Sequence, residues 1–94
     1  METNVTFRHF EGNHPNLREL ALESLKKFEK FHDNIINGEV KFVNDQQKFV
    51  EIILQLKEKT LVIKEENEEL KKALHEATDR MVRQINKHKE KIQQ

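Results

Sequence analysis

The stretch from Asn67 to the C-terminus constrains the fold most, because it carries one uninterrupted helical pattern. Most of the apolar residues of this stretch recur at steps of three and four, as on one face of an α-helix. No Pro or Gly interrupts them. Asn67 is a favourable N-cap, and Glu68 and Glu69 suit the first turn. We therefore expect a long helix that docks one face on a core, along Leu70, Leu74, Ala77, Met81, Ile85, His88 and Ile92.

The second half of this predicted helix is cationic. From Arg80 onward, five basic residues stand against one acid, Glu90, for a local charge of +4. The whole chain has 17 basic and 17 acidic residues and a net charge of zero. This balance argues against a non-specific nucleic-acid binder, which usually has a basic excess. An anionic partner would have to be met by a local patch.

The preceding residues predict a small α+β domain. Alternating apolar residues indicate strands at Thr3–Phe10, Ile35–Val43, Lys48–Lys57 and Thr60–Glu66, and helical spacing indicates a first helix from Pro15 to about His32. The order is β-α-β-β-β-α. Short central connections predict a four-stranded, mostly antiparallel sheet with both helices packed on one face. We expect a single domain over residues 1–94.

The second and third predicted strands each have a side that should face the core. Ile36, Gly38, Val40 and Phe42 share one side of the second strand. Gly38 within this strand suggests a bulge or a close backbone approach. In the third strand, the inward positions are Val50, Ile52, Leu54 and Leu56.

The composition argues against several classes of protein. There is no Cys, and the five His have no partners at a catalytic or metal-ligand spacing. With two Gly, the chain has no Gly-rich phosphate loop. We therefore expect no enzyme activity, metal, cofactor or small-molecule substrate. No signal peptide or long apolar run is present, so we expect a soluble, cytoplasmic protein without a membrane partner.

Two interpretations of the terminal helix compete. It could pair with a partner helix as a protein-interaction module, or it could cover the apolar face of its own sheet. We favour docking, since the strands need a cover. The basic end could merely complement the helix dipole. However, the first helix adds Lys26, Lys27 and Lys30 near its own C-terminal end. If the helices are parallel, both basic ends would form one patch suited to a phosphate backbone.

Two motifs carry a family resemblance that covers essentially the whole chain. The run RQINKHKEK at residues 83–91 resembles the terminal R-Q-(L/I)-x-K-H-K-x-K of the ribosome hibernation promoting factors, also called the ribosome-associated inhibitor or sigma-54 modulation family. Leu17-Arg18-Glu19 and the run LKKFEKF at residues 25–31 resemble the first-helix pattern of that family. Ser24 departs from it, because many members have a Lys there.

The resemblance implies a double-stranded-RNA-binding-like domain on the small subunit of the 70S ribosome. There it would block the channel for messenger and transfer RNA, inhibit translation and protect idle ribosomes. The chain resembles a short form without a second, dimerisation domain, and we expect a monomer off the ribosome. The family's alternative name suggests an indirect effect on transcription. The residues that the resemblance places against 16S rRNA are Lys26, Lys27, Lys30, Arg83, Lys87, His88, Lys89 and Lys91, and we add Arg80 to this set.

Overall fold

The computed structural model describes residues 1–93 and confirms the predicted order of elements. The strands are β1 (Glu2–Arg8), β2 (Ile35–Asn44), β3 (Lys48–Leu56) and β4 (Thr60–Glu66). The helices are α1 (Pro15–Glu29) and α2 (Leu70–Gln93). Within these residues, neither helix has an apolar stretch long enough to cross a membrane.

The four strands form one sheet in the order β1-β2-β3-β4. β1 pairs parallel with β2, with Val5 opposite Val40, because α1 carries the chain back between them. Short turns join β2 to β3 and β3 to β4, and both of these pairs are antiparallel. The sheet is therefore mostly antiparallel, as predicted, with one parallel pair at its edge.

Both helices pack on the same face of the sheet and share its core. The regular spacing of α2 identified its buried face correctly, and the inward face of β3 is also confirmed. Ile92, the last position of the predicted helical face, lies outside the residues whose side chains the structure describes. The buried apolar residues of these three elements are Ala21, Leu25 and Phe28 from α1, Ala73, Leu74, Ala77, Met81 and Ile85 from α2, and Val50, Ile52, Leu54 and Leu56 from β3.

The predicted facing of Ile36 was wrong, because a bulge interrupts the alternation of β2. Ile35 pairs with Leu56 and Asn37 with Gln55, so Ile36 is the extra residue. Its side chain is 47% exposed. At Gly38, the predicted close approach is present. A Cβ atom there would lie 2.8 Å from Leu25 Cδ2, so α1 packs directly against the backbone.

Three elements end earlier than predicted, and β3 does so by one residue, at Leu56 instead of Lys57. β1 stops at Arg8 instead of Phe10, and His9 adopts a positive φ of 64°. α1 stops at Glu29, whereas the spacing predicted about His32. The Lys30 and Phe31 amides donate to carbonyls three residues back, each at 3.0 Å, which tightens the last turn and ends the helix.

The start of α2 is also shifted. The Asn67 side chain accepts a hydrogen bond from the Glu69 amide at 2.9 Å, as a capping residue would. The first helical hydrogen bond, however, joins the Ala73 amide to the Glu69 carbonyl at 3.1 Å. Asn67 therefore stabilises the turn that leads into the helix, and Glu68 and Glu69 precede its first turn.

Leu54→Asp tests the sheet facing. Leu54 is fully buried, and an unpaired carboxylate there should cost several kcal/mol, against a typical domain stability of roughly 5–15 kcal/mol. We expect this variant to lose its cooperative thermal transition by circular dichroism. Val62→Asp is the matched control, because Val62 is 53% exposed. This substitution should lower the free energy of unfolding by only about 1 kcal/mol or less. A wild-type melting curve for Leu54→Asp would show that the facing is wrong.

Candidate nucleic-acid interface

The two helices lie side by side and run in the same direction. Near the middle of both, the Ser24 and Thr78 hydroxyl oxygens are 2.9 Å apart. The single Thr78 hydroxyl proton goes to the Leu74 carbonyl at 2.7 Å, so Ser24 donates to Thr78. Just beyond the end of α1, the His32 ring stacks on His88 of α2, with centroids 6.0 Å apart. These contacts follow the same order along both helices, so their cationic C-terminal halves share one end of the molecule.

Four cations of α2 form one exposed line, which we call the cationic stripe. They are Arg80, Arg83, Lys87 and Lys91, spaced by three or four residues and therefore on one flank of the helix. Arg80 fixes where this flank faces. Its guanidinium donates to the Lys64 carbonyl at 3.2 Å and forms an ion pair with Glu65, both in β4. The stripe thus lies above β4, on the side of α2 away from α1.

Arg83 and Lys87 form the unpaired middle of this stripe. Within the described residues, neither side chain makes an ion pair or a hydrogen bond, and both are exposed. They are one turn apart on the helix, about 6 Å along its axis. A polyanion could therefore reach two adjacent cations without first breaking an internal contact.

A second group of cations lies between the helix ends. Lys30, which directly follows α1, and Lys89 of α2 line the same surface depression. Lys26 and Lys27 are exposed one turn earlier on α1, and Lys27 borders the groove between the helices. The predicted single patch is therefore a band across the end of the helix pair. We call this the cationic band: the stripe at one side, Lys27, Lys30 and Lys89 in the middle, and Lys26 at the other side.

His88 differs from the other predicted contact residues because it lies beneath the surface. Its side chain is only 8% exposed, and its Nε2 is 3.2 Å from a carboxylate oxygen of Glu58 in the β3–β4 turn. The hydrogen bond with His88 lowers the pKa of Glu58 from its ordinary value of 4.5. In this position His88 tethers the β3–β4 turn to α2 and offers no exposed cation.

Two further cations at this end were not predicted. Lys57 and Lys59 flank Glu58 in the β3–β4 turn and are exposed. The contact between Glu58 and His88 places this turn beside the cationic band. The strand directions could have predicted their position. The β3–β4 turn lies where β4 begins. Because α2 runs antiparallel to β4, its C-terminal end must point towards this turn.

An acidic segment lies at the opposite end. The segment Glu65–Glu69 holds four acids and no base, and it leads into the start of α2. The 24 residues of α2 span about 36 Å, against a long axis of 46 Å for the molecule. The zero net charge therefore conceals one acidic segment and one cationic band that lie at different ends of α2.

This fold and surface define a small α/β domain that presents a cationic band on the ends of two parallel helices. The chain belongs to the family described as Sigma 54 modulation protein / S30EA ribosomal protein, whose model matches residues 3–93. The predicted family is therefore confirmed.

Relatives of known name are similar over nearly the whole chain. A ribosome hibernation promoting factor from Pseudomonas putida is 36% identical over 94 residues, which cover 99% of this chain and 91% of that protein. A ribosome hibernation promotion factor from Bacillus subtilis is 30% identical over 82 residues, 83% of this chain but 43% of its own length. The Bacillus protein is thus more than twice as long as the shared region.

Solved structures share the fold at lower identity. The N-terminal domain of Thermus thermophilus Protein Y matches with a TM-score of 0.81 at 20% identity, over 94% of this chain and 99% of that one. A ribosomal subunit interface protein from Coxiella burnetii matches with a TM-score of 0.84 at 23% identity, over 95% and 98%. At these identities, the comparisons support the fold alone.

The Glu58–His88 contact predicts a pH-dependent contribution to stability. Because folding lowers the pKa of Glu58, its stabilisation is present above pH 4.5 and is lost as the pH falls through the lowered folded value. We expect Glu58→Gln to unfold at lower urea than wild type near neutral pH, with the difference disappearing in acid. In a His88→Gln background, the same substitution should have little pH-dependent effect. An equal difference at all pH values would contradict this role of the carboxylate.

Proposed function

We propose that this chain is a ribosome hibernation factor that binds the small ribosomal subunit through its cationic band. Bound there, it would occupy the channel used by messenger and transfer RNA and inhibit translation. The mechanism is steric: cations neutralise phosphates of 16S rRNA, and the folded domain fills the path of the substrates. No bond is made or broken, so activity depends on affinity and position alone.

The observation that carries this proposal is the meeting of two cationic helix ends at one end of a rigid domain. The cationic stripe extends from Arg80 to Lys91, about 16 Å along α2. Lys30 and Lys89 widen it towards α1. A cationic surface of this kind suits the RNA backbone, which is recognised mainly by shape and phosphate charge. The names of the relatives support a ribosomal partner.

The buried face of α2 weighs against the partner-helix alternative. Leu74, Met81 and Ile85 would have to bind the partner, but these side chains are between 0% and 3% exposed in the core of this domain. Releasing them would require undocking α2 from β3 and β4. The surface that remains on the helix is polar and cationic, which favours an anionic partner.

Co-sedimentation with purified ribosomes on sucrose gradients tests the function directly. We expect the chain to travel with the small subunit and the 70S ribosome at low salt, and to be released as salt rises. Neutralising several phosphates makes the affinity fall steeply, by about three orders of magnitude or more for six contacts between 50 and 200 mM salt. A chain that stays at the top of the gradient at low salt would contradict ribosome binding.

Charge reversal at the middle of the stripe tests the surface. Arg83→Glu with Lys87→Glu replaces two exposed cations that have no internal partner, so the domain should stay folded while ribosome binding is lost. The matched control is Arg18→Glu with Lys71→Glu, which makes the same charge change at two exposed cations in the first turns of α1 and α2. Negative charge is favourable near these helix starts. We expect near wild-type co-sedimentation for the control.

A folded Arg83→Glu, Lys87→Glu variant that binds ribosomes like wild type would remove the stripe from the proposed interface. Equal losses for both double variants would show that total charge matters and the position of the cations does not. Thermal melting of both proteins by circular dichroism keeps folding separate from binding.

A further inference from the structure

Three potential metal ligands converge at the end of the helix pair, although they are far apart in the sequence. His32 lies in the turn after α1, Glu58 in the β3–β4 turn, and His88 on α2. One ligand atom from each lies within 4.8 Å of the others. This is the one group of three or more such side chains that converge within the described residues. Sequence spacing could not show it, because the ligands come from three separate elements.

The geometry is close to that of a tetrahedral zinc site. Ligands at about 2.0–2.1 Å from one tetrahedral ion are roughly 3.3 Å from each other. His88 Nε2 and the nearer Glu58 oxygen are 3.2 Å apart, so these two ligand atoms already have the separation that a tetrahedral ion requires. The third ligand must approach by about 1.5 Å or less, given the 4.8 Å limit. His32 can supply this movement, since it is half-buried in a turn beyond the helix end.

We propose that His32, Glu58 and His88 bind one Zn²⁺ ion. Two imidazoles and one carboxylate are a donor set that zinc accepts, and three protein ligands leave a fourth position open. His88 is nine-tenths buried and is held by the docking of α2, which gives the site one fixed ligand. The proposal concerns a metal site and does not depend on ribosome binding.

Two features of the site lower its expected affinity. The Asn34 amide donates to His32 Nδ1 at 3.0 Å, and metal binding through either ring nitrogen would break this hydrogen bond. Asn34 is exposed, so water can replace it. Lys30 and Lys89 border the same depression and repel a cation. We therefore expect weaker binding than at enzymatic zinc sites.

A simpler arrangement would use the same three residues without metal. Glu58 would serve only as the partner of His88, and His32 would only stack on the His88 ring. That arrangement predicts no saturable binding of Zn²⁺. The two cases therefore differ in one direct measurement.

Isothermal titration of ZnCl₂ into the untagged chain makes this measurement. We expect one saturable site per chain, weakened about tenfold or more by each of His32→Gln, Glu58→Gln and His88→Gln. His75→Gln is the matched control, since His75 faces only Asp79 at 3.5 Å on the same helix. It should leave binding unchanged.

Three outcomes would overturn the proposal: no saturable binding, binding that the three variants leave intact, or an equal loss in His75→Gln. His32 and Glu58 lie in turns, so their variants keep the test decisive even if His88→Gln destabilises the core. Circular dichroism of each variant establishes folding before titration. Ribosome sedimentation plays no part in this test, so the metal and ribosome proposals can fail separately.

Discussion

The parallel pairing of β1 with β2 is the constraint on which the cationic surface depends. Because these strands run in the same direction, α1 must return antiparallel to both. The β2–β3 and β3–β4 pairs are antiparallel, so β4 runs parallel to β2. The helix α2 folds back over β4 and therefore runs in the same direction as α1. The contacts from Ser24–Thr78 to His32–His88 confirm this direction. An antiparallel β1 would place the two cationic helix ends at opposite ends of the molecule.

Much of this architecture could be predicted from the sequence, because burial on one face leaves a clear periodicity. β3 alternates without error over its buried positions, and the spacing of α2 marks its docked face. The errors occur where pairing or local turn chemistry overrides the pattern. Ile35 and Ile36 are identical side chains, and only the register with Leu56 and Gln55 determines which one is buried. The helix end at Glu29 likewise depends on turn hydrogen bonds that periodicity does not encode.

The candidate site was predictable in composition but not in arrangement. The sequence contains the cations, whereas the fold divides them between two flanks of α2 and the end of α1. Arg80 is turned towards Glu65, and Lys89 is turned towards Lys30. His88 occupies a position on the docked face, and burial there outweighs its place within a cationic run. The approach of the β3–β4 turn, which brings Glu58, Lys57 and Lys59 to this end, depends on tertiary contacts.

The helix dipole cannot account for all of the cationic stripe. Its influence falls off within the last turn, which holds Lys91 but lies beyond Arg83 and Lys87. As like charges one turn apart, Arg83 and Lys87 destabilise the free helix by about 0.2–0.5 kcal/mol. Asp79 and Glu90 lie within one turn of Arg83 and Lys87, but within the described residues neither cation makes an ion pair, in contrast to Arg80 with Glu65. The phosphates of a nucleic-acid backbone would attract both Arg83 and Lys87 and so offset the repulsion between them. These two cations are therefore the strongest argument for an anionic partner.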